Sequence, residues 1–103
     1  MFFKKKDKYA PKKETLEMLD GKRISYVSER VNSVESVIGR QGGITLTDDE
    51  VIIMCDGSEV FRCQLKGAMI AELMSKNGVD IKGFDTVKHR QRHVTAYFSN
   101  LRQ

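Results

Sequence analysis

Asp49-Glu-Val51-Ile-Ile-Met-Cys55-Asp56-Gly57-Ser-Glu59-Val-Phe61-Arg-Cys63-Gln-Leu65 is the stretch that decides the fold. Val51 to Cys55 is an uninterrupted apolar run of strand length, the pattern of a strand covered on both faces. Asp56-Gly57 supplies two residues that tolerate positive φ, the chemistry of a tight hairpin. The run from Glu59 to Leu65 is then the returning strand. Side chains alternate along a strand, so with an even loop Cys55 and Cys63 lie on opposite faces of the hairpin, and with an odd loop they share a face but are offset by several residues along the ladder. They are expected to be free, buried thiols acting as small apolar groups.

Outward from this hairpin the period-2 pattern continues. Ile44-Thr-Leu-Thr47 alternates cleanly, and Val34, Val37 and Ile38 begin another strand, which Gly39, Gly42 and Gly43 interrupt with a turn or bulge. Arg23-Ile-Ser-Tyr-Val27 is rich in β-branched and aromatic residues. Before it, Thr15 to Leu19 has two readings. Pro11 could open a short helix, but Asp20-Gly21 between two alternating runs is a hairpin signal, and a hairpin setting Met18 against Ile24 and Leu16 against Tyr26 is preferred.

From Lys66 the period changes. Ala68, Met69, Ile70, Ala71, Leu73 and Met74 fall at helical spacing with good helix formers, and Asn77-Gly78 supplies a left-handed stop. This predicts a helix over about 67–77, with Leu65, Ile70, Leu73 and Met74 on its buried stripe. Val79 to Phe84 alternates again, Asp85 to Arg92 reads as a loop, and His93 to Ser99 as the closing strand. The fold class expected is α+β, mostly β: a small antiparallel barrel or rolled sheet of six or seven strands, with one helix before the last two.

The 103 residues leave room for one domain, and 40% apolar against 31% charged residues is the composition of a chain that folds. Residues 1–14 are expected to form a basic, mobile tail, and residues 15–103 the single β-rich domain. No run approaches the roughly 18 apolar residues of a membrane span, and no secretory pattern opens the chain. Two cysteines without CxxC spacing are too few for a disulfide framework. A reducing cytoplasm is the expected location.

Charge is distributed unevenly. Residues 1–23 carry eight Lys or Arg and four Asp or Glu, residues 24–79 five and eight, and residues 80–103 five and two. The basic ends, through Lys4, Lys5 and Lys6 and through Lys88, Arg90 and Arg92, are the candidate anion or nucleic-acid contacts. Phe2 and Phe3 beside the lysines could instead meet an anionic membrane surface. His89 and His93 have the spacing of helical metal ligands, but they sit in a non-helical, cationic loop that would repel a metal ion. No hydrolytic or phosphate-loop motif is present, so neither catalytic residues nor a cofactor are assigned. The functional expectation is a small non-catalytic binding module with a protein partner, nucleic acid and an anionic membrane being the alternatives.

Glu17-Met-Leu-Asp-Gly-Lys-Arg-Ile-Ser-Tyr-Val27, Val60-Phe-Arg62, Glu72-Leu-Met-Ser75, Asn77-Gly-Val79, Ile81-Lys-Gly-Phe-Asp85 and Thr95-Ala-Tyr97 resemble a family of short uncharacterised bacterial proteins. The resemblance covers most of residues 15–99. Some members carry the label "membrane-associated protease", for which this sequence has neither a hydrolytic motif nor a span. At the level of fold the pattern is similar to pleckstrin-homology-like and GRAM-like modules, which implies lipid or protein binding. Those folds close with a C-terminal helix, whereas this chain reads as ending on a strand.

Overall fold

The computed structural model describes residues 13–99. The hairpin around Asp56-Gly57 forms as its sequence dictates. β3 (Glu50–Cys55) and β4 (Ser58–Gln64) pair antiparallel, and Asp56 and Gly57 take φ of 54° and 80° between the paired Cys55 and Ser58. The ladder then slips by one residue at Val60, since Ile53 pairs with Phe61 whereas Met54 pairs with Glu59. The loop is even, yet that bulge gives the cysteines the shared face expected of an odd one. Cys63, opposite Val51, comes onto the same buried face as Cys55, four positions along β3 and so roughly 13 Å away. Both are free and buried.

β1 (Arg23–Val31) and β2 (Val34–Leu46) form a second hairpin, turned at Asn32 and Ser33, both of positive φ. Gly39, Gly42 and Gly43 make no turn, but the bulge alternative is present beside Gly39, where the ladder slips by one residue at Ile38; β2 otherwise runs through all three. The reason is space. A Cβ on Gly42 would stand 1.7 Å from the Met54 carbonyl oxygen, so the close crossing of β2 and β3 requires glycine there.

The predicted helix over 67–77 is replaced by β5 (Met69–Glu72) and a turn. β5 pairs along β6 (Gly78–Asp85), with Ile70 opposite Ile81. Helix propensity spans less than about 1 kcal/mol per residue and a short isolated helix is marginal, so an uncovered β6 edge decides the conformation. Gly78, read as the helix stop, is the buried first residue of β6. The chain's helix is α1 (Lys13–Leu19), where a strand was preferred. Asp20-Gly21 is its exit: Gly21 has φ 82°, and Lys22 N–H donates to the Leu19 carbonyl at 3.0 Å. Leu19 is fully buried and Leu16 and Met18 pack against the same core, so the expected pairs Met18–Ile24 and Leu16–Tyr26 do not form.

β7 (Arg90–Phe98) lies between β1 and β6, and the hydrogen-bonded order is β4-β3-β2-β1-β7-β6-β5, with β4 also touching β6. β4 and β5 run one after the other along the same edge of β6, from Cys63 opposite Asp85 to Glu72 opposite Val79. The result is a closed antiparallel meander of seven strands with one helix, an α+β fold that is mostly β. Ile44, Val51, Ile53, Phe61, Val79, Ile81 and Val94 fill its interior. Among the described residues no helix is long and apolar enough to cross a membrane.

Candidate binding cleft

The interior is not wholly apolar. Arg92 sits on the inner face of β7 with its side chain 2% exposed, between Glu29 of β1 and Asp85 at the end of β6. Its Nε and Nη2 donate to Glu29 at 3.1 and 2.8 Å, and its Nη1 donates to Asp85 Oδ2 at 2.8 Å and to the Val60 carbonyl at 3.0 Å. Asp85 also accepts the backbone N–H groups of Arg62, Val87 and Lys88, which fixes the four-residue turn into β7. Burial pushes Asp85 upward, but these donors outweigh it and hold the carboxyl below its ordinary range. Hydrogen bonds from Arg92 likewise hold Glu29 low.

This network places the residues at the barrel mouth. Arg90, two positions before Arg92, reaches Glu29 Oε2 at 3.0 Å with half of its side chain still in solvent. Beyond Glu29 the β1–β2 hairpin is no longer paired with β7 and projects as an arm. Between arm and barrel lies an open cleft of about 290 Å³, with exposed Arg30, Lys82 and Arg90 at its rim and Val31 and Met69 beside them. Val31 is 48% and Met69 44% exposed. A second hollow of about 360 Å³, on the other side of Arg90, is lined by Lys88, Val87, Ile38 and Val60.

Of the residues singled out in the sequence, Lys88 and Arg90 come together at this mouth. Arg92 does not share their role: its guanidinium is consumed inside the fold. Lys4, Lys5, Lys6 and the expected tail lie outside the described residues, apart from Lys13 and Glu14, which belong to α1. His89 is exposed in the turn, whereas His93 lies on the outer face of β7 with Nε2 3.3 Å from Asp80 Oδ1. Tyr97 stacks on Tyr26 at 4.6 Å between ring centroids, and its hydroxyl donates to Glu35, so this ring is already engaged. Sequence reasoning missed Glu29, Arg30, Lys82 and Met69. Glu29 to Ser33 reads as a polar loop, and only long-range pairing of β1 with β7 reveals that its first residue is buried.

Comparison of the chain with protein-family models, with curated proteins and with solved structures finds no match in any of the three.

Proposed function

We propose that this protein is a small, non-catalytic binding module of the cytoplasm, and that the cleft between the β1–β2 arm and β7 receives an acidic segment of a protein partner. The observation that carries this reading is the juxtaposition of three exposed cations, Arg30, Lys82 and Arg90, with exposed Val31 and Met69 around one concavity. Arginine and methionine are enriched at interfaces, and an apolar floor with a charged rim is the usual anatomy of one. The buried Glu29–Arg92 pair beneath gives Arg90 a fixed base, so less side-chain entropy is lost on binding. Free Cys55 and Cys63 accord with a reducing compartment.

A nucleic-acid partner would rely on phosphate contacts from Lys88 and Arg90, with Arg92 unavailable to it. A pleckstrin-homology-like relationship is supported by the rolled antiparallel sheet and opposed by the position of α1 ahead of β1.

Titration of the full chain with a labelled glutamate-rich peptide containing leucine, followed by fluorescence anisotropy, tests the proposal. Saturable binding is expected, weakened by Lys82→Glu and left unchanged by Arg23→Glu, seven positions from Arg30 at the opposite end of β1. Absence of saturable binding overturns it, as does tighter binding of a single-stranded oligonucleotide of equal charge, which would favour the nucleic-acid reading.

A further inference from the structure

The arm has a second edge, facing away from the cleft. β2 pairs with β1 from Val34 to Gly43, but with β3 only from Gly42 to Leu46. Among the described residues no strand runs along the other side of Val34–Arg40. Exposed edges are ordinarily protected by lysine, proline or shortness, because their unpaired backbone groups invite another strand. Val34–Arg40 contains neither lysine nor proline, and Val34 and Val37 are 66% and 45% exposed. The slip of register at Ile38 is its one irregularity.

We propose that this edge joins two copies of the chain, antiparallel across a two-fold axis, with Val37 of each copy opposite Ile38 of the other. The segment Glu35-Ser-Val37-Ile38-Gly-Arg40 is self-complementary in that register: Glu35 faces Arg40 at both ends, and exposed Val37 of each copy lies beside the two-fold axis, while Ile38 stays packed against its own core. Opposite charges and β-branched side chains stabilise when they lie directly across a ladder, and like charges destabilise. A register centred on Glu35 would set two carboxylates face to face. Both charges have capacity to spare. Arg40 is exposed and forms no ion pair with a described residue, while Glu35 Oε1 has only Arg30, at 3.4 Å. The other carboxylate oxygen is held by Ser28 and Tyr97, which keeps Glu35 in place and ionised. An isologous two-fold contact of this kind closes on itself and leaves no further edge to propagate. Lys82 and Arg90, which line the cleft from β6 and β7, lie outside this contact.

Sedimentation equilibrium on the full chain tests this. A concentration-dependent dimer is expected, and Val37→Lys and Arg40→Glu should each raise its dissociation constant by about tenfold or more, since symmetry counts every loss twice. Circular dichroism checks that each variant is folded; Arg40→Glu, at an exposed side chain, carries the test if Val37→Lys does not fold. Lys82→Glu should leave the dimer intact, which separates this edge from the cleft. A wild-type chain that stays monomeric up to its solubility limit overturns the proposal, as does a dimer that persists unchanged in the folded variants.

Discussion

Arg92 Nη1 stands 2.8 Å from Asp85 Oδ2, and the two side chains finish the barrel where strand pairing runs out. β4 and β6 share one paired position, Cys63 with Asp85. Further along β4, the Arg62 N–H is taken by the Asp85 carboxylate and the Val60 carbonyl by the Arg92 guanidinium. Backbone groups that a neighbouring strand would satisfy are thus satisfied by an ion pair.

Asp85→Ala should therefore destabilise strongly. It strands Arg92 beside a single carboxylate and leaves three backbone donors without their acceptor. A loss of about 3 to 5 kcal/mol is expected in urea denaturation, the range for breaking a buried pair by removing one partner. Asp85→Asn keeps an acceptor oxygen and should lose less.

The same network gives stability a direction with pH. Glu29 and Asp85 both have folded pKa values below their unfolded ones, so their contribution is present in full above the unfolded values and is lost as pH falls through the depressed folded ones. The melting temperature should be level near neutrality and fall once pH drops below about 4. In Asp85→Asn the acid slope should be shallower.

Burial pushes the Cys63 thiol up to about 11, with the carboxylates of Asp85 and Glu50 adding to it, and burial also raises Cys55. Neither should react with a thiol-specific reagent in the folded protein at neutral pH, because the thiolate is the reacting species. Both should titrate on addition of denaturant. A rapid reaction of Cys63 under native conditions would contradict its placement.

Gly42→Ala should unfold the domain or cost about 3 kcal/mol or more, since the added carbon would overlap the Met54 carbonyl. At Gly43 the same carbon would meet the Lys22 oxygen at 3.4 Å, so Gly43→Ala should be much milder. Denaturation midpoints of the two variants give the comparison.

Truncation along β5 separates strand from helix. Ile70 is 5% exposed and Met74 97%. Ile70→Ala should cost about 2 to 5 kcal/mol, and Met74→Ala should stay within about 0.5 kcal/mol. On a helix over 67–77 with both residues on its buried stripe, the two losses would have been comparable.

By itself the sequence determined the local, short-range features of this protein. The Asp56-Gly57 turn, the apolar run Val51 to Cys55, the alternation from Val79 to Phe84 and the resulting mostly-β class all follow from backbone preferences and period-2 patterning. Those signals are written in neighbouring residues. What only the tertiary structure decided are the choices in which local preference is weak and a distant partner supplies the larger energy. Met69 to Glu72 became a strand because β6 offered an edge, and Thr15 to Leu19 a helix because β1 found its partners in β2 and β7. Cys63 moved to the face of Cys55 through one bulged residue. Arg92 is the sharpest case: in sequence it is one more cation in a basic loop, but the fold brings Glu29 from 63 positions away to meet it. A desolvated charge must be paired, so the guanidinium turns inward and leaves Arg90 and Lys88 at the surface.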